Sequence, residues 1–128
     1  MMSVKTEDFS KIGSLKKRAD FLLLGKEGKK WVSRGLIIQI RPNNLGKIRV
    51  GYAVSKRVDK SAVVRNRIKR RLRAVVAEIM FEYARGSCDY VLIGRKDTAL
   101  RSYNLLLKDL KWCLRKTGYA RNMMKVDK

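Results

Sequence analysis

"KSAVVRNRIKRRLRAVVAEIM", residues 60–80, is the stretch on which the fold turns. At about 100° per residue, Val64, Ile68, Leu72, Val75, Val76 and Ile79 fall within an arc of about 120°, so the segment reads as a helix with one buried stripe. Arg65, Asn66, Arg67, Lys69, Arg70, Arg71 and Arg73 are then expected to sweep most of the remaining circumference of its first half. A solvated helix face normally interleaves both signs through Glu and Lys four residues apart, yet residues 60–77 contain no acid. With Lys56, Arg57 and Lys60 upstream, the result is a cationic ridge opposed only by Asp59. Arginine outnumbers lysine five to one between positions 65 and 73. Forked guanidinium groups hold phosphate through paired hydrogen bonds and stack on bases, and Asn66 can bond a sugar hydroxyl or a base edge.

The flanks supply the sheet this helix must cover. "GLIIQIR", 35–41, alternates, with Leu36, Ile38 and Ile40 on one face and Ile37, Gln39 and Arg41 on the other. After the turn-rich "PNNLGK", 42–47, "IRVGYAVS", 48–55, alternates again. Ile48, Val50, Tyr52 and Val54 oppose Arg49, Gly51, Ala53 and Ser55, and the two strands are expected to pair as an antiparallel hairpin. The face of small groups admits a close backbone or a flat ligand. Upstream, "LKKRADFLLLGKE", 15–27, predicts a helix stopped by Gly28 in the usual place of a C-terminal glycine. Downstream, "GSCDYVLIGR", 86–95, is a loop entering an apolar strand. In "SYNLLLKDLKWCLRKTG", 102–118, Tyr103, Leu106, Leu107, Leu110 and Leu114 mark one helical face and Gly118 the end. The order αββαβα predicts an α+β fold, an α/β two-layer sandwich with helices over a small sheet. Residues 1–13 are expected to form a flexible N-terminal segment, 14–118 a single domain and 119–128 a flexible basic tail.

Composition narrows the function. A net charge of +21 on 128 residues is far more than solubility requires and disfavours the compact state, so it points to a polyanionic partner, nucleic acid before membrane. "FLLL" and "GLII" are far short of the ~20 residues that cross a bilayer, and residues 1–20 lack a signal-peptide pattern, so cytoplasmic residence is expected. Cys88 and Cys113 read as buried thiols of a reducing compartment. The absence of histidine removes the commonest general base and metal ligand. Glu78 and Glu82, four residues apart, are read as balancing nearby arginines, and no catalytic or metal-binding residue is assigned.

"VSKRVDKSAVVRNRIKRRLR", residues 54–73, closely resembles the signature of the bacterial ribonuclease P protein subunit, in which a strand and a Ser/Lys turn lead into an R-N-R helix. "LKKRADF" before Gly28 and "DYVLIGR", 89–95, extend the resemblance over roughly residues 14–116. It implies a fold of the ribosomal protein S5 domain 2-like type with a left-handed β-α-β crossover, an exception to the usual hand. It also implies a partnership with a catalytic RNA that removes the 5′ leader of precursor tRNA using Mg²⁺, held mainly by RNA and substrate. By that pattern Lys56, Arg57, Arg65, Asn66, Arg67, Lys69, Arg70 and Arg73 meet the catalytic RNA. Lys17, Arg18, Phe21 and Ser55 meet the single-stranded leader, in a cleft between the first helix and the sheet. No obligate protein partner is implied. The chain departs from many members at Gly25 and Gln39, where aromatics are common, and at Ser14, where an arginine is often found. A ribosomal or general RNA-binding protein is the alternative reading; a DNA-binding regulator lacks the preceding short helix, since a strand comes first.

Overall fold

The computed structural model describes residues 12–121, which form one mixed sheet with helices on both of its faces. In chain order the elements are β1 (Gly13–Ser14), α1 (Arg18–Glu27), β2 (Lys29–Val32), β3 (Leu36–Pro42), β4 (Arg49–Ala53), α2 (Ala62–Tyr83), β5 (Cys88–Gly94), α3 (Lys96–Leu100) and α4 (Tyr103–Thr117). The six expected elements are present, joined by two short edge strands, β1 and β2, and by the single-turn α3.

The strand order is β1-β4-β5-β3-β2. This corrects the expected hairpin: β3 and β4 do not pair. Instead β5 lies between them, antiparallel to β3 (Ile38 opposite Leu92) and parallel to β4 (Tyr52 opposite Leu92). The antiparallel neighbour of β3 on its other side is β2, with Trp31 opposite Ile38. The most apolar strand, buried at every position but Ile93, thereby takes the centre, where both edges and both faces are covered. The connection from β4 through α2 to β5 is the parallel crossover that seats the basic helix.

Alternation decides which side chains meet which layer. Leu36, Ile38 and Ile40 of β3, Val50 of β4 and Tyr90 and Leu92 of β5 face α2 and α4, and all are buried with Ile68, Leu72, Val75, Val76, Ile79 and Met80 of α2. The predicted stripe of α2 is therefore the core seam. Gly94 has no room for a side chain, since a Cβ there would come within 2.4 Å of the Ile68 methyl carbon. Ser61 caps α2 by accepting the Val64 N–H, and Ser102 caps α4 in the same way through Leu105. At the other end of α4, Gly118 stops the helix where the sequence predicted, in the left-handed conformation at φ 83°.

The opposite sheet face carries α1 alone, which packs Leu24 and Phe21 with Leu15 against Val91 and Ile93. The helix starts at Arg18, three residues later than expected. Gly28 ends it with extended backbone instead of a left-handed turn; its lack of a side chain matters because a Cβ would lie 2.4 Å from the Leu24 carbonyl oxygen. Helices thus cover both faces, with the α1 side only partly closed.

The ends hold more than expected. Gly13 pairs with Arg49 in β1, and Ala120, almost wholly buried, bridges to Ala84 while Arg121 donates its N–H to the Tyr83 carbonyl. Folded structure therefore includes residues 13 and 119–121; the rest of the two expected flexible segments lies outside the described residues.

Both cysteines are free and buried. Burial pushes the Cys113 thiol up to about 11 and also raises Cys88, despite the hydrogen bond with Tyr90 and the Arg85 charge. The thiolate is the reactive form, so neither thiol is expected to react with iodoacetamide at pH 8 until denaturant is added. Mass spectrometry of the folded protein showing rapid double alkylation would contradict this burial.

Candidate nucleic-acid interface

The first half of α2 carries the ridge. Asn66, Arg67, Arg70 and Arg73 are exposed, Lys69 is half-buried, and Lys56, Arg57 and Lys60 continue the charge along the turn between β4 and the helix. The ion pairs among the described residues fall elsewhere: Arg34–Asp97, Arg41–Glu27, Arg49–Asp89 and Arg101–Asp109. Asp59, the one acid between positions 56 and 73, accepts the Ser61 N–H. The ridge cations thus retain uncompensated charge.

Three arginines differ from the sequence reading. Arg65 lies at the angular position of the seam, between Leu72 and Val76 on the wheel, so it does not face outward with the others. At the helix start, beyond the packed core, its guanidinium donates to the carbonyls of Asp59 at 2.8 Å and Lys60 at 2.9 Å. It therefore braces the turn that presents Lys56 and Arg57, a positioning task that leaves its charge in place. Arg71 turns the other way and donates to the Arg101 carbonyl, tying α2 to the end of α3. Arg73 lies over the Tyr52 ring, 5.3 Å from its centroid. Burial pushes the Tyr52 hydroxyl up to about 12, against the opposing pull of Arg73, so the ring stays neutral beneath the cation at any physiological pH.

The expected leader-binding residues sit around the open sheet face. Lys17 precedes α1 and Arg18 begins it, both exposed. Phe21 is half-buried and rests on Gly51, where a Cβ would lie 2.7 Å from its ring, so the small-residue face of β4 accommodates an aromatic of this chain's own. Ser55 is exposed beyond the end of β4, four residues from Gly51, which is about 13 Å along an extended chain. Phe21 and Ser55 thus mark two ends of a track and do not touch. Gly25 and Gln39, the two departures from the family pattern, face each other: the Gln39 amide nitrogen is 3.9 Å from where a Gly25 side chain would begin. Toward the Ser55 end, the sequence reading missed part of the lining. A groove of about 430 Å³ is lined by the apolar Ile37, Val58 and Ile93 and by Arg57, Arg95, Lys96 and Asp97, the last paired with Arg34. The signal for the missed pair is "GRK", 94–96, two cations immediately after the central strand.

The loop between β3 and β4 is held to the sheet from beneath. Asp89, almost wholly buried, accepts from Arg49 through both oxygens (2.8 and 2.7 Å) and from the Asn43 amide at 2.7 Å. Burial alone would favour the neutral acid, but these hydrogen bonds and the charges of Arg49 and Arg41 hold the carboxyl below its ordinary value. Glu78 accepts from the Tyr103 hydroxyl at 2.8 Å, so it links α2 to α4 where the sequence reading gave it an arginine.

An extended cationic surface beside a partly apolar groove suits a single-stranded or folded polyanion. No helix among the described residues is long and apolar enough to cross a membrane. Comparison with known proteins agrees with the geometry. The family described as Ribonuclease P matches residues 9–118. The Ribonuclease P protein component of Paramagnetospirillum magneticum is 45% identical over 114 residues, 85% of each chain. That of Bacillus cereus is 34% identical over 89% of this chain and 95% of its own. Among solved structures, the RNase P protein of Staphylococcus aureus superposes with a TM-score of 0.72 at 25% identity, covering 87% of this chain and 100% of its own. The RNase P protein of Thermotoga maritima gives 0.66 at 27% identity, over 76% and 90%. Sequence signature, strand order around the basic helix and these likenesses agree: the chain belongs to the ribonuclease P protein component family.

Proposed function

We propose that this chain binds the catalytic RNA of ribonuclease P through the α2 ridge and the single-stranded 5′ leader of precursor tRNA through the groove on the open sheet face. In this reading the RNA subunit of a cytoplasmic endoribonuclease carries out the cleavage, and the protein raises substrate affinity and screens phosphate repulsion. The observation that carries it is the set of nine Lys and Arg side chains between positions 56 and 73, held on a helix and its entry turn with no carboxylate ion pair among the described residues. Lys56, Arg57, Asn66, Arg67, Lys69, Arg70 and Arg73 contact the catalytic RNA, with Arg65 bracing the turn. Lys17, Arg18, Phe21 and Ser55, joined by Arg95 and Lys96, line the leader's path.

Cleavage by the RNA subunit is taken to use Mg²⁺. The ion is held by the RNA and the substrate in this reading. Each oxygen-rich phosphate cluster that the ridge does not neutralise remains available to such a hard cation.

Reconstitution tests the proposal. The purified chain mixed with a bacterial ribonuclease P RNA is expected to stimulate precursor tRNA cleavage at limiting Mg²⁺, and an Arg67→Ala, Arg70→Ala double variant to lose most of that stimulation. RNA binding without stimulation would favour an assembly-only RNA-binding protein instead.

A further inference from the structure

The two tryptophans of the chain meet at the outer edge of the sheet, on β2 and α4, elements that supply none of the side chains assigned above to RNA. Trp31 of β2 and Trp112 of α4 pack edge to face, ring centroids 5.8 Å apart at 74°. Trp112 remains 38% exposed and Leu105, on the same stripe of α4, 40%. Together they leave a small apolar patch on an otherwise polar helix face.

The surroundings say what kind of partner this patch fits. Lys108 and Lys116 lie one helical turn before and after Trp112, and both are exposed. Ser33 lies beside the Cys113 thiol, while a side chain at Gly35 would meet Asp109 and Leu106. β2 therefore runs back along α4 and brings exposed Lys29 toward Lys116. The only acid in α4, Asp109, is buried and held by Arg101 through both oxygens (2.6 and 3.1 Å). An exposed indole ringed by lysines, with the local carboxylate already neutralised, has the chemistry of a stacking platform for a single-stranded nucleic acid: the ring takes a base and the lysines take its flanking phosphates. A second copy of a chain with net charge +21 would be repelled from this face.

We propose that the β2–α4 face is a second RNA contact, in which Trp112 stacks on an unpaired base between phosphates held by Lys108, Lys116 and Lys29. The inference rests on the reading of this chain as an RNA binder and adds a face to which α2 contributes nothing.

Fluorescence tests it directly, because Trp31 and Trp112 are the only indoles. In a Trp31→Phe chain, oligoadenylate is added to saturation while the anisotropy of a labelled oligonucleotide reports occupancy independently. Trp112 emission is expected to fall and the ring to become shielded from acrylamide. Lys108→Glu with Lys116→Glu is expected to remove the shielding and weaken binding about 5- to 10-fold. Arg67→Ala with Arg70→Ala is expected to shift the midpoint yet keep the shielding at saturation. Unmodified chain gives the same acrylamide readout should Trp31→Phe fail to fold. Saturated anisotropy with unchanged Trp112 emission and shielding would overturn this proposal alone, whereas no anisotropy change would overturn the RNA-binding reading and this one with it. Shielding that rises with protein concentration in the absence of RNA, or that polyglutamate produces and oligoadenylate does not, would assign the face to a second copy or an acidic protein and reject the proposal.

Discussion

A chain carrying Arg67→Ala, Arg70→Ala and Arg73→Ala is expected to bind RNA on the order of 100-fold more weakly at about 150 mM salt while folding normally. The three side chains are exposed and lie off the core seam of α2, so their removal leaves the packing of Ile68, Leu72, Val75 and Val76 intact. Their contribution is electrostatic. Each phosphate they neutralise releases condensed counterions and adds about 0.7 to 0.9 to the slope of log affinity against log salt, so the triple variant should flatten that slope by about 2 to 3. Titration across a salt series checks both numbers at once. A variant with lower affinity but an unchanged slope would mean that the arginines act through shape or folding and not through phosphate.

The second large effect is expected at Asp89. Replacing it with alanine leaves Arg49 and Asn43 without their shared acceptor beneath the β3–β4 loop and should lower the unfolding free energy by about 3 to 5 kcal/mol, the usual cost of breaking a buried pair. The same group makes stability depend on pH. Because the folded carboxyl lies below its ordinary value of 3.8, its contribution is fully present above that value and is lost as pH falls through the lower folded one. Denaturant melts should therefore show stability declining below about pH 4, with the Asp89→Ala chain declining less. Equal acid sensitivity in the two proteins would place the effect on other carboxylates.

Where a feature depends on neighbours in the chain, the sequence was sufficient. The α2 seam, the buried faces of β3 and β4 and the stop at Gly118 follow from periods of 3.6 and 2 and from the steric freedom of one glycine. Arg65 was misplaced on the wheel itself, where it falls inside the seam's arc, about 20° from both Leu72 and Val76. Arg65 shares the seam's direction, but it lies at the helix end where the core has run out, so its guanidinium is free to turn onto the carbonyls of Asp59 and Lys60. Gly25 and Gln39 were legible as separate departures; their apposition across α1 and β3 was not. Trp31 and Trp112, 81 positions apart, gave no hint of meeting.

The sequence alone determined that this chain carries a dense cationic helix anchored by an apolar seam beside strands with one buried face, because side-chain periodicity and charge are local properties. Only the tertiary structure decided that β5 comes between β3 and β4, that Asp89 locks the loop joining those two strands, and which arginines look outward. Alternation tells a strand which face to bury but not which strand supplies its hydrogen bonds; that choice is settled by covering the most apolar strand on both edges, at separations no local pattern encodes.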